Sequence, residues 1–265
     1  MSLAPRPAFV WPDDTRSTVR LGRHVNAHDF DIAAPEGAGA VRARVIGVIE
    51  NQAPTRALEA DLAVEDGLVA MDPAHDVCQI ALVKRHRGTG GVVNGFVSGF
   101  GYDVPCAVAS TVAHDSHHMI VVGTSKADMA AAANRLGEVG GGVTVWREGQ
   151  EAALVLLPIA GLMSDAPAHE VAAAAEALVA AMEACGCDLN NAYMQHSLLA
   201  LVDNPALRIS DLGLSYVTRF EKTDLLLPAC GCTDGAPGTP DRTAGPRATR
   251  RAGSSLQRSC SGGSG

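Results

Sequence analysis

The sequence predicts an α+β domain in which about three helices pack on a mixed or antiparallel β-sheet. Two observations carry this prediction. Four or five short strand candidates with tight connections precede the first clear helix pattern, which is typical of antiparallel or mixed sheets. Regular helical periodicity appears only in the second half of the chain.

The two ends of the chain differ in composition from the part between them. Residues 1–28 are polar and contain prolines without a clear period, which favours an extended leader. Residues 229–265 contain eight Gly, three Pro and five Arg, and Leu256 is their only large aliphatic side chain. Such a segment buries too little apolar surface to offset the entropy of ordering, so we expect a disordered tail. The predicted α+β domain therefore spans residues 29–228.

Composition also restricts the class of protein. The chain has 265 residues, of which 47% are hydrophobic, and this is enough for one sizeable core. Its net charge of -8 argues against a nucleic-acid partner, because general nucleic-acid binding needs a basic face. No apolar run approaches the roughly 20 residues of a membrane span. The seven cysteines are odd in number and scattered, which favours a reducing cytoplasm over a disulfide framework.

Apolar runs mark the strands. The first run alternates apolar and basic residues before Gly47, as expected for a strand that is half-buried at one end. The second run stops at a turn that ends with Gly67, and the last two runs form a hairpin around Gly149. The strand candidates are 41–49, 58–64, 77–83, 92–100, 107–112, 119–122, 143–146 and 152–157.

Capping residues and periodic apolar positions mark three helices. Ser125 is the expected cap of the first helix. The second is expected to be capped by Ser164 or Asp165, with Pro167 in its first turn. The first helix ends at Gly140, the second at Gly186, and the third runs from near Asn190 or Asn191 to about Leu201.

The densest group of chemically active side chains is His114, Asp115, His117 and His118, between two strand candidates. Two imidazoles three residues apart can converge on one divalent cation where the backbone turns. Asp115 would then be a ligand or would orient a histidine. His114, Asp115 and His117 are therefore candidates for a substrate pocket or an auxiliary metal site, with His114 and His117 as metal ligands. The alternative is a turn whose histidines bond backbone carbonyls.

A second cluster, at residues 84–91, places basic side chains before a glycine-rich turn. Backbone N–H groups of such a turn can hold an anion. The cluster lacks the Gly-Lys-Ser/Thr ending of a P-loop, so a solvated or interface-facing strand end is the alternative. Arg85 and His86 are accordingly candidates for anion binding or for an interface.

Two Cys-x-Cys pairs do not have the usual spacing of a structural zinc site. Cys185 and Cys187 flank a glycine that is expected to end a helix, and Cys230 and Cys232 open the tail. The chain also lacks a His-x-His pair and a Gly-x-Ser-x-Gly nucleophile elbow. Composition and spacing alone thus predict an α+β domain with one polar cluster and do not identify a reaction.

Ordered motifs in this body resemble the C-terminal region of bacterial adenine deaminases, which are metal-dependent amidohydrolases. The most characteristic motif is 112–117, which is followed by the run 120–124. The resemblance extends from about Asp29 to about Leu227. The other matching segments, in order, are 85–90, 95–101, 128–129, 134–136, 140–142, 157–164 and 198–201.

The resemblance implies hydrolysis of the exocyclic amine of adenine to give hypoxanthine and ammonia, a step of purine salvage. In that family manganese or iron activates the water, and an N-terminal (β/α)8 barrel with a His-x-His signature holds the metal. This chain has no such pair, so we expect it to be the C-terminal part of the enzyme and to need a barrel domain or subunit. Adenine and the barrel are then its expected partners. Assembly into a homo-oligomer is an open question at this point.

Some positions depart from the family pattern. His118 stands where the family usually has Asn, and Gly91 stands where Asn is common. The segment beyond Pro228 does not resemble the family, and it is either a natural linker or an out-of-frame product. The alternatives for the chain as a whole are a non-catalytic purine- or metal-binding accessory domain and an inactive truncated product.

Overall fold

The computed structural model describes residues 9–228, so the predicted tail at 229–265 lies outside the described residues. The strands are β1 (Ala40–Gly47), β2 (Arg56–Glu65), β3 (Leu68–Val69), β4 (Val77–Val83), β5 (Val92–Ser98), β6 (Cys106–Ser110), β7 (Met119–Gly123), β8 (Gly142–Arg147), β9 (Gln150–Leu156), β10 (Leu207–Ser210), β11 (Gly213–Tyr216) and β12 (Glu221–Thr223). The helices are α1 (Lys126–Val139), α2 (Ala168–Glu183) and α3 (Ala192–Leu198).

The first nine strands form one mixed sheet, which confirms the predicted fold class. Their order is β3-β2-β1-β5-β4-β7-β6-β8-β9. The pairing of β1 with β5 is parallel, and the other pairings in this sheet are antiparallel. Strands β4, β6 and β7 are buried along their whole length, because both faces of the sheet are covered. This explains why these strands appear in the sequence as continuous apolar runs.

Alternate residues of the central strands belong to two different layers of the core. Ala107 and Ala109 of β6 pack on the side of α1, together with Met129 and Leu136. Val108 points to the opposite layer. That second layer includes side chains from α2 and from the later strands, among them Leu178, Met182, Leu207 and Ile209.

Helix α1 begins and ends as predicted. The Ser125 hydroxyl accepts a hydrogen bond from the Asp128 N–H group at 3.3 Å, and Gly140 ends the helix in the left-handed conformation, with φ 81°. The Asp128 carboxylate does not complete a capping box. It accepts from the Gly149 N–H group at 2.9 Å instead, and so ties the turn of the β8–β9 hairpin to α1.

The predicted side-chain cap of α2 is wrong. The residue that caps the helix is Pro167, without a side-chain hydrogen bond. Both predicted capping side chains have other partners: Asp165 pairs with Arg16, and the Ser164 hydroxyl accepts from the Ala166 N–H group at 3.2 Å. The contact with Arg16 could not be seen locally, since 149 positions separate the two residues.

A small second sheet, with the order β10-β11-β12, was not predicted from the sequence. These strands have only three or four residues each, which is too short for a period-two pattern to stand out. The sheet nevertheless contributes Leu207, Ile209 and Leu214 to the core layer that contains α2.

The described part of the predicted leader lies against the domain. A short 3-10 helix covers Asp13–Thr15, and Val19 and Val25 are buried in the same layer as α1. No helix within residues 9–228 is long and apolar enough to cross a membrane.

Substitution of Gly22 by Ala tests this packing. A Cβ atom at Gly22 would collide with the backbone of Gly88, whereas one at Gly37 would meet nothing within 4 Å. Both glycines have a positive φ, 81° and 75°, so Gly37→Ala is a matched control for backbone strain. We expect Gly22→Ala to lower the free energy of unfolding by about 1–3 kcal/mol more than Gly37→Ala, measured by urea denaturation. Equal losses would contradict the packing of the leader on the 84–91 turn.

A buried histidine in α3 makes stability depend on pH. His196 donates from Nε2 to the Val108 carbonyl at 3.1 Å, and its Nδ1 has no hydrogen-bond partner among the described residues. Burial lowers the pKa of His196 from 6.5 to about 4. The unfolded chain therefore takes up a proton between these pH values that the folded chain does not, and stability falls as the pH is lowered through this window.

We expect His196→Gln to remove the contribution of His196 to this pH dependence and to leave that of His117 and His118. The amide keeps a donor for Val108 and does not titrate. In the unsubstituted protein His196 should contribute a loss of about 3 kcal/mol between pH 7 and pH 4. Urea denaturation at several pH values measures it, with His169→Gln as a control at a histidine whose side chain is 83% exposed. An unchanged pH slope in His196→Gln would contradict the assignment.

Candidate functional site

The structure brings the two polar clusters predicted from the sequence together at one end of the sheet. Strand β4 pairs with β7 in a register that places Val83 opposite Met119. Residues just after β4 therefore lie beside residues just before β7. This register places Arg85 next to His117 and His118, although more than 30 positions separate them in the chain.

Arg85 lies under the His114–His118 loop and is only 2% exposed. Its Nε donates to the His117 carbonyl at 2.5 Å. Its Nη1 donates to the Thr18 hydroxyl, and its Nη2 donates to the Ala160 carbonyl, both at 3.2 Å. Within residues 9–228 no carboxylate forms an ion pair with Arg85. Burial lowers the pKa of Arg85 to about 10, so the guanidinium remains charged at neutral pH.

The segment around Ala160 is shaped to receive this guanidinium. Ala160 and Gly161 both have a positive φ, 58° and 71°. A Cβ atom at Gly161 would lie 2.8 Å from Nη1 of Arg85, so a side chain there would displace the guanidinium. The motif 157–164 in the sequence thus has a structural role that its residue types alone did not indicate.

His118 and His86 form the outer wall of this end of the domain. Their ring centroids are 4.5 Å apart. The Arg85 N–H group donates to Nδ1 of His118 at 3.3 Å, and Nε2 of His86 donates to the Ser116 carbonyl at 2.7 Å. Burial, followed by the nearby positive groups, lowers the pKa of His118 to about 4, so its ring is neutral at pH 7. Its proton is then on Nε2, which faces Asp211 at 3.8 Å.

The predicted metal ligands His114 and His117 are neighbours. Their ring centroids are 5.2 Å apart in an edge-to-face arrangement, and Nδ1 of His117 is buried without a hydrogen-bond partner in the described part of the chain. Burial, and next the neighbouring His114, lower the pKa of His117. Asp115 is exposed. Among residues 9–228 no group of three His, Cys, Asp or Glu side chains is placed to hold a metal ion. The pair therefore does not fit a complete metal site by itself, and its role as a ligand pair stays a prediction.

The cysteines of the first Cys-x-Cys pair lie in the core. Cys185 and Cys187 are free thiols and buried, as are Cys78 and Cys106. Gly186 between the first two has φ 98° and turns the chain away from the end of α2, as predicted. Cys230 and Cys232 lie outside the described residues.

Three residues of this site were missed in the sequence. Thr18 lies in the predicted leader, and Asp211 lies in the turn between two strands that are too short to be recognised. Ala160 lies in a matching motif but gave no chemical signal, because its contribution is a backbone carbonyl.

Replacement of Arg85 by Lys should destabilise the domain by about 2–4 kcal/mol. A lysine is a single point donor and cannot serve the His117 carbonyl, the Thr18 hydroxyl and the Ala160 carbonyl together, so partly buried acceptors lose their partner. Arg56→Lys, at an exposed position, is the matched control and should change the free energy of unfolding by less than about 0.5 kcal/mol. Urea denaturation of both variants measures the difference, and similar values would contradict the role of Arg85.

Comparison with known proteins gives consistent matches. The family described as the adenine deaminase C-terminal domain matches residues 52–221. An adenine deaminase from Ruegeria pomeroyi is 69% identical over 223 residues, which cover 84% of this chain and 37% of the relative. One from Mesorhizobium japonicum is 68% identical, over 83% of this chain and 36% of the relative. One from Moorella thermoacetica is 43% identical, over 84% of this chain and 37% of the relative. The chain thus spans little more than a third of the length of these relatives.

Proposed function

The chain belongs to the adenine deaminase C-terminal domain family, and on that basis we propose that it forms the C-terminal part of an enzyme that hydrolyses adenine. In this reaction one water molecule replaces the exocyclic amine at C6 of the purine, and hypoxanthine and ammonia are released. The observation that carries the proposal is the 69% identity to an adenine deaminase over 84% of this chain.

We assign the catalytic metal to a barrel domain or subunit. Bound manganese or iron would supply the activation of water. Within residues 9–228 His114 and His117 have no third His, Cys, Asp or Glu side chain placed beside them for a metal ion. In this proposal the described residues shape and close the active site from outside the barrel, and His114 and His117 stay candidates for an auxiliary metal site.

The loop that carries His114, Asp115 and His117 is the part of this chain that we propose to face the adenine pocket. Arg85 positions this loop through the His117 carbonyl, so it is a positioning residue and not a catalytic one. His86 braces the same loop through the Ser116 carbonyl. The half-buried rings of His114 and His117 then offer nitrogen atoms to the purine.

A fusion protein tests the proposal. The C-terminal 37% of the Ruegeria pomeroyi enzyme is replaced by this chain, and adenine hydrolysis is measured in the presence of manganese through ammonia release. We expect a rate within about tenfold of the parent enzyme, and no turnover by this chain alone. An inactive but folded fusion would overturn the proposal. Binding of adenine or manganese by the isolated chain in calorimetry, together with an inactive fusion, would favour a non-catalytic accessory domain.

Substitutions in the fusion test the loop. His114→Ala and His117→Ala should each lower kcat/KM by about tenfold or more, since each removes a polar contact to the substrate or its surroundings. His169→Ala, at an exposed histidine of α2, is the control and should leave the rate unchanged. Unchanged kinetics in both loop variants would favour a structural turn.

We also propose a cytoplasmic location. The four cysteines among the described residues are free thiols, which suits a reducing compartment. The net charge of -8 supports the absence of a nucleic-acid partner.

A further inference from the structure

We propose that the cleft between the 84–91 turn and the β10–β11 turn binds a compact phosphate group, as inorganic phosphate or as the phosphate of a nucleotide. The cleft has a volume of about 720 Å³. The proposal does not depend on the proposed enzymatic function. The cleft is lined by Lys84, His86, Arg87, Thr89, Gly91, Ser116, His118 and Asp211.

The charge around the cleft favours an anion. Lys84 and Arg87 line it directly, and Arg85 lies behind it with a buried charge that no carboxylate among the described residues balances. Among the described residues that line the cleft, Asp211 is the only acidic one. Arg87 is exposed and Lys84 is half-buried, so their attraction for an anion is screened by solvent, and the buried charge of Arg85 adds to it.

The glycine-rich turn lines the cleft with Arg87, Thr89 and Gly91 and has main-chain N–H groups that the described protein does not use. Gly88 and Gly90 both have a positive φ, 63° and 66°. In the described part of the chain, the main-chain N–H groups of residues 87–90 donate no hydrogen bond to the protein. Arg23 holds the turn from outside through the Gly90 carbonyl, at 2.8 Å. An anion in the cleft can therefore accept from N–H groups of this turn without breaking a hydrogen bond of the described protein.

Asp211 marks the position that an anion would take. One of its carboxylate oxygens, Oδ2, lies 3.8 Å from both Nζ of Lys84 and Nε2 of His118. These distances are longer than hydrogen bonds, so both donors remain available. A phosphate dianion has more acceptor oxygens and a higher charge than this carboxylate, and it would form shorter charge-assisted bonds with the same donors.

The size of the cleft suits more than a single ion. Its volume is in the range of small-molecule sites, which is roughly 300–1,000 Å³. Inorganic phosphate would fill only part of it, whereas a nucleoside monophosphate has a sugar and a base to occupy the remainder. The two sources of phosphate can therefore be separated by experiment.

Calorimetric titration of the full chain tests the proposal, with inorganic phosphate, adenosine monophosphate and adenosine at constant ionic strength. Arg87→Gln should weaken phosphate binding by about tenfold, since it removes one charge-assisted donor. Arg56→Gln makes the same change at an exposed position outside the cleft, and should leave binding within twofold. Asp211→Asn should tighten binding by about fivefold, because it removes the competing carboxylate. Phosphate should also shift the amide resonances of residues 87–90.

The outcomes distinguish a nucleotide ligand, inorganic phosphate as the ligand, and the absence of a phosphate site. Tighter binding of the monophosphate than of inorganic phosphate, with no binding of adenosine, supports the site with a nucleotide as its ligand. Equal binding of the two phosphates supports it with phosphate alone. The proposal is overturned by the absence of phosphate binding, by equal losses in Arg87→Gln and Arg56→Gln, or by weaker binding in Asp211→Asn. The test of phosphate binding uses no enzymatic assay. The phosphate-binding proposal and the proposed adenine deaminase function can therefore fail independently.

Discussion

A buried guanidinium without a carboxylate partner constrains the polar end of this domain. Removing a charge from water is costly unless its hydrogen-bonding groups are satisfied, and for Arg85 oxygens from three distant segments provide that satisfaction. The carbonyl of Arg85 itself accepts from the Arg20 N–H group at 2.7 Å. The leader, the histidine loop and the segment around Ala160 are thus tied to one side chain, and none of them can move without leaving part of it unsatisfied.

The histidines above Arg85 are held in a buried environment to which its charge makes a smaller contribution. Burial is the main cause that lowers the pKa of His117 and His118, a neighbouring histidine is the next, and Arg85 adds a smaller effect to both. Neutral imidazoles can accept as well as donate hydrogen bonds, which suits a loop that is proposed to face a purine. The positive groups at this end of the domain, Lys84, Arg85 and Arg87, also favour an anion in the neighbouring cleft.

A second buried arginine, in the other core layer, is also satisfied by backbone carbonyl groups. Arg208 of β10 donates to the Leu198 carbonyl at 2.8 Å and to the Asn204 carbonyl at 2.9 Å, and Ala53 provides a further carbonyl. Burial lowers the pKa of Arg208 to about 10. This network fixes the small second sheet to the end of α3. Since Asp211 follows β10 directly, it also determines where that carboxylate lies relative to the basic turn.

The sequence by itself determined the long central strands, a sheet that is mixed or antiparallel, helix α1 with its Ser125 cap, and the resemblance that the family match confirms. The parallel pairing of β1 with β5, which makes the sheet mixed, came only from the structure. These features depend on alternation, on apolar runs and on residues at most a few positions apart, so local patterns contain them. The tertiary structure decided that Arg85 lies under the His117 carbonyl and that Asp211 faces Lys84. It also decided that Asp165 pairs with Arg16 and does not cap α2. Strand register and packing produce these contacts between segments that are distant in the chain, and no local pattern encodes them.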